Sequence, residues 1–350
     1  MDFKAFISGC AGTSLSDEER AFFAETRPCG LILFARNCRS VPQLRALIAD
    51  YRDAVESDEA LVLVDQEGGR VQRLRPPNWR QMPPARVYGE LYGYDPSAAV
   101  AAAFAGARLI AEELAEAGIT VNCTPVLDVP EPGAHEIIGD RAFSTDPNVV
   151  IALGRAVVEG TLAGGVLPVI KHVPGHGRAP ADSHLALPCI DASVRELTET
   201  DFRPFMALAD APLAMTGHVL LMAFDDKRPV SVSPIIMREV IRDLLGLEGL
   251  VMSDDLGMAA LGGPMRDRAA SVIEAGCDVA LHCNGNLAEM REAASVVPPL
   301  AGASAERFAR AIAKLGEPQA FDAGQALTLV SEAASRSGAV ASPKTKTLEA

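Results

Sequence analysis

Histidines concentrate in one short stretch of the chain, Lys171–His184, which reads KHVPGHGRAPADSH. It holds three of the six histidines of the 350-residue chain. Its prolines and glycines exclude a regular helix or strand, so the sequence predicts a long loop after a short apolar run. Histidine titrates near neutral pH, and long loops inside compact domains are commonly functional. We therefore interpret this loop as part of an active site.

Other residues that can do chemistry also follow short apolar runs. They are Asp65, Arg141 in its loop, His218 and Asp254. A carboxylate such as Asp254 can act as a nucleophile, and a histidine such as His184 can transfer protons. Aspartate, arginine and lysine side chains can hold hydroxyl groups by hydrogen bonds. These residue types favour a hydrolase whose substrate is rich in hydroxyl groups, such as a sugar.

Eight apolar runs, separated by helical patterns, are the strands that must position these residues. They are Phe3–Gly9, Leu31–Phe34, Leu61–Val64, Ile119–Cys123, Val166–Ile170, Leu213–Thr216, Leu250–Met252 and Val279–Leu281. Strands that alternate with helices indicate parallel βα units, and their number favours an α/β fold, a single-domain (β/α)8 TIM barrel. The carboxyl ends of barrel strands share one face, so the polar residues would converge there. The barrel is expected over residues 1–340, with a flexible tail at 341–350.

Helix starts are marked by capping patterns. Ser16 and Glu19 form a capping box, Ser40 precedes Val41-Pro42, and Asp146 precedes Pro147. The alanine-rich run Ser97–Ala117 predicts a long helix, whereas the segment before it, up to about Asp95, is predicted to be a loop. Further helices are predicted after Ser193 and at Ile235–Leu245, Asp267–Ala275, Asn286–Val296 and Ser304–Leu315, with one more beyond Phe321. An open doubly wound sheet is the alternative fold, but the glycine-rich nucleotide-binding motifs that would support it are absent.

The amino-acid composition of the chain limits the kinds of molecule that it is expected to bind. A net charge of −14 argues against nucleic acid and anionic membranes. Seven scattered cysteines without a C-x-x-C pair indicate reduced thiols rather than a disulfide framework or a zinc site. No secretory signal and no apolar run of the roughly 20 residues that span a membrane is visible. We expect a cytoplasmic monomer that acts on a small molecule and needs no metal and no cofactor.

Six motifs resemble the β-N-acetylglucosaminidases of glycoside hydrolase family 3. They are VDQEGGRVQR at 64–73, GDRAF at 139–143, KHVPGHG at 171–177, DSHLALP at 182–188, MTGHV at 215–219 and SDDLGM at 253–258. They follow the order of the family and together span most of the chain. The resemblance implies a (β/α)8 barrel and a bacterial cytosolic enzyme of cell-wall recycling. Such an enzyme removes terminal N-acetylglucosamine from N-acetylglucosaminyl-1,6-anhydro-N-acetylmuramic acid, with or without its peptide, and retains the anomeric configuration.

The resemblance also implies roles for individual residues. Asp254 is expected to be the nucleophile, with Asp255 as the competing candidate, and His184 the general acid/base with Asp182 as its partner. This use of histidine departs from the two carboxylates usual in retaining glycosidases, but imidazole can both protonate a leaving oxygen and accept a proton from water. The sugar-binding positions of the family are matched by Asp65, Arg73, Arg141, Lys171 and His172. Two more histidines in matching motifs, His176 and His218, are expected to position other groups.

Two segments depart from the usual sequence of the family. These are Arg178–Ala181, which replaces an Asp/Asn-Thr type of sequence, and His135–Ile138 before Gly139. Both are predicted loops that can alter how the acid/base histidine docks.

Three other functions fit part of the pattern. A glycoside phosphorylase is one, because a histidine acid/base repels incoming phosphate less than a carboxylate does. A metal-dependent barrel hydrolase is another, with metal ligands taken from His172, His176, Asp182 and His184. The third is a barrel that binds sugar without catalysis.

Overall fold

The structure is a computed structural model that describes residues 3–133, 135–181, 183 and 186–337. Within these residues the strands are β1 (Lys4–Ser8), β2 (Pro28–Leu33), β3 (Leu61–Val64), β4 (Gln66–Gly68), β5 (Val71–Gln72), β6 (Val121–Asn122), β7 (Leu167–Val173), β8 (Cys189–Ile190), β9 (Leu213–Thr216), β10 (Leu220–Leu221), β11 (Leu250–Asp255) and β12 (Val279–His282).

The α-helices of the same residues are α1 (Asp17–Thr26), α2 (Val41–Val55), α3 (Ala85–Tyr92), α4 (Pro96–Ala117), α5 (Pro147–Ala163), α6 (Val194–Glu199), α7 (Arg203–Ala207), α8 (Met265–Ala275), α9 (Leu287–Ala294), α10 (Gly302–Ile312) and α11 (Ala323–Arg336). A wider π-type helix covers Ile236–Leu244, and short 3-10 turns lie at Ala35–Asn37, Gly139–Arg141 and Val230–Val232. None of the described helices is long and apolar enough to cross a membrane.

Parallel strands close into a barrel in the order β1-β12-β11-β9-β7-β6-β3-β2. Each of the eight predicted apolar runs supplies one of these strands, so the predicted (β/α)8 barrel is confirmed. The strands are buried on both faces, as in Leu61–Val64, where every residue has zero exposure. A side chain from such a strand must be apolar unless it lies near the strand end, and this explains why the continuous apolar runs are easy to recognise.

Small residues let the helices around the barrel pack closely. A Cβ at Gly160 of α5 would lie 2.5 Å from the carbonyl oxygen of Phe104 in α4, so these two helices approach more closely than alanine would permit. Helix α4 stops where Gly118 adopts a left-handed φ of 88°, which glycine reaches without steric cost.

Several connecting segments differ from the predictions. The segment predicted to be a loop before Asp95 contains α3, which begins after Pro84 and packs its buried apolar face mainly against α4. The helix predicted after Ser193 is divided into α6 and α7, because Pro204 suits the first turn of a new helix and cannot continue the old one. The predicted tail at 341–350 lies outside the described residues, so the proposed domain division stays a prediction.

Candidate active site

The carboxyl ends of the barrel strands carry the predicted site residues. Asp65 directly follows β3. Lys171 and His172 lie near the carboxyl end of β7, and the peptide bond between them is cis. Asp254 lies in β11, and Arg141 ends the short turn that follows β6 along the chain. The barrel therefore brings these residues to one face, as the strand pattern predicted.

Five charged side chains form an ion-pair cluster at this face. The Lys171 ammonium nitrogen lies 2.7 Å from Asp65 Oδ1 and 2.7 Å from Glu67 Oε1. Arg141 donates to both oxygens of Glu67, from Nε at 2.9 Å and from Nη2 at 2.8 Å. Arg73 Nη2 donates to Asp65 Oδ2 at 3.3 Å. Four of the predicted sugar-binding residues thus lie in one cluster, in which Asp65 pairs with Lys171 and Arg73, and Glu67, which had no predicted role, links Lys171 to Arg141.

Pairing keeps these buried groups ionised. Burial alone would raise the pKa of the Asp65 carboxyl, but Lys171 and Arg73 outweigh it and hold that pKa well below its usual range. Burial likewise opposes ionisation of Glu67, yet Arg141 and Lys171 lower its pKa to about 2. The pKa of Lys171 is raised in spite of burial, because both carboxylates face its ammonium group. The cluster therefore offers fixed charges and hydrogen-bond donors throughout the ordinary pH range.

A third carboxylate, Asp128, binds two histidines that lie later in the chain, His172 and His176. It has zero exposure, and its Oδ2 lies 2.7 Å from His172 Nδ1. Its Oδ1 accepts the backbone N–H of His172 at 3.3 Å and that of His176 at 2.7 Å. The Nε2 of His172 lies 3.5 Å from Arg141 Nη2, so its ring connects Asp128 to the ion-pair cluster. Asp128 is thus a positioning group for the start of the histidine-rich loop.

The His176 side chain is buried beside the His172 ring. Burial is the main cause that lowers its pKa to about 4, and the nearby charges of Asp128 and Asp254 oppose that shift only in part. Its Nε2 lies 3.1 Å from the hydroxyl oxygen of Ser183, the described residue between the two predicted proton-transfer residues. The Ser183 carbonyl oxygen accepts the N–H of Ala260 at 3.3 Å. The loop is therefore attached at Ser183 both to His176 and to the segment after β11.

The two adjacent aspartates at the end of β11 have different surroundings. Both are partly exposed, and Asp254 Oδ1 accepts the N–H of Asp255 at 2.8 Å. Asp255 Oδ1 instead accepts two backbone N–H groups, from Gly257 at 3.0 Å and from Cys283 at 3.0 Å. The Asp255 carboxylate thus supports the turn after the strand, and this favours Asp254 as the reactive carboxylate.

His218 also has a supporting position. Its Nε2 lies 3.0 Å from the carbonyl oxygen of Asp255, which can only accept, so this nitrogen carries a proton and donates it. Its Nδ1 lies 2.5 Å from the Ser231 hydroxyl oxygen. Burial lowers the pKa of His218, so its neutral form is favoured. The His218 ring therefore binds the backbone of the residue that follows Asp254.

The predicted general acid/base His184 and its partner Asp182 lie outside the described residues, as do Ala134, Leu185 and residues 338–350. Their roles remain predictions. Two of the four metal ligands considered for a metal-dependent hydrolase are these same residues. Among the residues that the structure does describe, no group of three or more His, Cys, Asp or Glu is arranged to hold a metal ion.

Sequence reasoning missed two acidic residues of the site, Glu67 and Asp128. Glu67 lies in the motif that also contains Asp65, and Asp128 lies in the loop after β6. The only signal for Glu67 is its place in that motif, three residues after the end of β3, and spacing alone does not show that its carboxylate turns inward. Nothing in the local sequence distinguishes Asp128 from a solvent-exposed loop aspartate.

Comparison with known proteins agrees with this geometry. The profile of the glycosyl hydrolase family 3 N-terminal domain matches residues 7–315. A β-hexosaminidase of Alkalilimnicola ehrlichii is 43% identical over 282 residues, which cover 79% of this chain and 80% of the relative. A β-hexosaminidase of Chromobacterium violaceum is 38% identical over 308 residues, which cover 87% and 85% of the two chains.

Solved structures show the same likeness. NagZ from Neisseria gonorrhoeae, crystallised in complex with N-trifluoroacetyl-D-glucosamine, superimposes with a TM-score of 0.86 at 32% identity, and the match covers 95% of this chain and 99% of that one. The family resemblance predicted from the motifs is therefore confirmed. The chain belongs to glycosyl hydrolase family 3 and is a glycosidase of the β-hexosaminidase type.

Proposed function

We propose that the chain is a retaining exo-β-N-acetylglucosaminidase. It removes terminal non-reducing N-acetylglucosamine from peptidoglycan fragments, namely N-acetylglucosaminyl-1,6-anhydro-N-acetylmuramic acid with or without peptide. The observation that carries the proposal is the position of Asp254 at a barrel strand end, on the face that also holds the ion-pair cluster, where its charge acts on His176 and His218. A solved relative that binds an N-acylated glucosamine supports the sugar class.

The reaction has two displacements. In the first, the Asp254 carboxylate attacks the anomeric carbon, the bond to the leaving oxygen breaks, and His184 gives that oxygen a proton. In the second, His184 takes a proton from water, the water oxygen attacks the same carbon, and the bond to Asp254 breaks. Two inversions retain the anomeric configuration. Asp182 orients the His184 ring and stabilises its protonated form.

Sugar binding is assigned to the ion-pair cluster and His172. The Asp65 carboxylate has one long contact, to Arg73 at 3.3 Å, and so retains the capacity to accept a hydrogen bond from a hydroxyl group. Lys171 and Arg141 are charged donors, which form stronger hydrogen bonds than neutral ones. A site of this kind holds the sugar in a fixed orientation toward Asp254, and orientation is a large part of the catalytic effect.

The proposed location of the chain is the cytoplasm. All seven cysteines are free thiols, which agrees with a reducing cytoplasm. The monomeric state stays a prediction.

The function is tested by hydrolysis of the 4-nitrophenyl β-glycoside of N-acetylglucosamine. We expect the wild-type chain to release nitrophenol and Asp254→Asn to lose turnover, because the amide cannot form the glycosyl-enzyme. Asp255→Asn is the matched control and should keep much more activity, since its oxygen can still accept a backbone N–H. A 2-fluoro or 5-fluoro glycosyl donor should label Asp254, located by mass spectrometry of the digested protein. A label on Asp255, or full activity in Asp254→Asn, would overturn the assignment.

Two further experiments are needed. One tests His184 as the general acid/base, and the other distinguishes hydrolysis from phosphorolysis. His184→Ala should slow a poor leaving group more than 4-nitrophenol, because only the poor leaving group needs a proton. Product analysis with phosphate present decides between hydrolysis and phosphorolysis: a glycosyl phosphate product would establish the phosphorylase. Sugar binding without turnover in the wild-type chain would favour the non-catalytic barrel.

A further inference from the structure

The Glu67 carboxylate is the most fully engaged acidic group of the ion-pair cluster. Its Oε1 contacts both Arg141 Nη2 at 2.8 Å and Lys171 Nζ at 2.7 Å, and its Oε2 accepts from Arg141 Nε at 2.9 Å. The Glu67 side chain is 7% exposed, whereas that of Asp65 is 15% exposed. Glu67 thus lies deeper than Asp65, and both of its oxygens already bind protein donors.

The two cations that Glu67 holds still have donors to offer. Lys171 carries three N–H donors and directs two of them to Asp65 and Glu67, so one has no partner within the described part of the chain. Arg141 uses Nε and Nη2 on Glu67, and its Nη1 makes only a 3.3 Å contact with the carbonyl oxygen of Ile137. Each cation therefore has donor capacity left after Glu67 has fixed its direction.

We propose that Glu67 is a positioning residue of the sugar site, which holds the Arg141 guanidinium and the Lys171 ammonium so that their remaining N–H donors stay available to the sugar hydroxyl groups. The inference rests on the proposed function, because it concerns the same site. Glu67 acts through the two cations and does not touch the sugar. In this arrangement, the Asp65 carboxylate accepts hydrogen bonds from the sugar, whereas Glu67 orients the N–H donors of Arg141 and Lys171.

Two observations support these separate roles of Asp65 and Glu67. The bidentate contact fixes the guanidinium plane as well as its position, which a single contact cannot do. A buried ammonium with 2% exposure also needs carboxylate partners to stay charged, and Asp65 alone would have to serve both Lys171 and Arg73. Without Glu67, the lysine and arginines would share one carboxylate and repel one another.

The test compares Glu67→Gln with the wild-type chain. The amide keeps the shape but loses the charge, so we expect the KM for the nitrophenyl glycoside to rise about tenfold to a hundredfold, with a smaller loss in kcat. The dissociation constant of N-acetylglucosamine, measured by titration calorimetry, should rise by a similar factor. Glu67→Asp keeps the charge and should recover part of the affinity. Glu113→Gln is the matched control, because Glu113 also binds an arginine, Arg80, at 3.1 Å but lies on α4, away from the strand ends.

A double-mutant cycle separates positioning from general stability. If Glu67 acts through Arg141, the loss in kcat/KM caused by Glu67→Gln should be much smaller in an Arg141→Ala background than in the wild type. Equal losses in the two backgrounds, or an unchanged KM and dissociation constant in Glu67→Gln, would overturn the proposal. A wild-type chain that binds N-acetylglucosamine without cleaving the glycoside would refute the proposed function alone, and the calorimetric comparison would still decide the role of Glu67. A wild-type chain that does not bind the sugar would overturn both.

Discussion

At the scale of single residues, the site depends on buried charges that are matched by opposite charges. Lys171 and Glu67 are both strongly buried, and an unpaired charge at either position would cost several kcal/mol. The sequence predicted Asp65, Lys171 and Arg141, because they follow strands within recognisable motifs. It did not predict that Glu67 joins them, since spacing along the chain does not show which carboxylate turns inward. Partners of this kind are decided by contacts between distant segments.

His176 provides a residue-scale prediction on pH. Its pKa is about 4 in the folded chain against an ordinary value of 6.5, so the unfolded chain binds the extra proton first as the pH falls. The stability that its neutral form contributes is therefore present above about pH 6.5 and is lost between about pH 6.5 and 4. The loss amounts to at most about 3 kcal/mol.

The measurement is the midpoint of thermal unfolding between pH 7 and pH 4 for the wild type and His176→Gln. We expect the wild type to lose more stability than the variant as the pH falls, because the amide does not titrate. His135→Gln, which removes an exposed imidazole, is the control for loss of a histidine as such. Parallel curves for the wild type and His176→Gln would show that His176 is not held neutral by the fold.

At the scale of elements, the barrel strands could be predicted from the sequence and the loops could not. A strand buried on both faces must be a continuous apolar run, so each of the eight runs was visible. The hairpin β4–β5 was not visible, because the Gln66 side chain holds it from within by accepting the N–H groups of Arg73 at 2.9 Å and Leu74 at 3.0 Å. No periodic pattern records such a contact. The hairpin nevertheless contains Glu67 and ends directly before Arg73.

The loop after β7 gives the element-scale prediction, which concerns Arg178 in the segment that departs from the family sequence. Arg178 Nε donates to Asp201 Oδ2 at 2.7 Å, and its Nη1 pairs with Glu131. Asp201 is 1% exposed, and burial raises its pKa. Arg178→Ala would leave this carboxylate buried with the Thr200 hydroxyl as a donor, and we expect it to cost about 3 kcal/mol of stability.

Calorimetric unfolding of Arg178→Ala measures this effect. Arg195→Ala is the matched control, because its ion pair with Glu199 involves an arginine side chain that is 82% exposed, and such surface pairs contribute little. Arg178→Lys should recover part of the loss. If Arg178→Ala unfolds at the wild-type midpoint, Arg178 does not anchor this loop to the segments that contain Asp201 and Glu131.

At the scale of the whole molecule, the closed barrel separates the site from the opposite face. The site residues come from the ends of β3, β7 and β11 and from the turn after β6, and only closure brings these distant segments together. Asp278 directly precedes β12 and so lies at the other end of the strands. Its Oδ2 accepts from Arg242 at 2.6 Å and from the Val251 N–H at 2.8 Å, and its Oδ1 accepts from Arg307 at 2.8 Å. This carboxylate therefore connects the sheet to two surrounding helices.

The separation predicts that Asp278→Asn affects stability without affecting catalysis. The amide cannot balance two arginines that converge on a site with 2% exposure, so we expect a loss of about 3 kcal/mol or more in the free energy of unfolding. Calorimetry measures this loss, and kcat and KM are measured well below the unfolding midpoint, where the variant is folded and both constants should equal those of the wild type. Glu239→Gln, which removes an exposed partner of Arg238, controls for the loss of an acidic side chain. A lower kcat/KM in fully folded Asp278→Asn would show that the two ends of the barrel are coupled, because a change at the amino ends of the strands would then have reached the groups that hold the sugar.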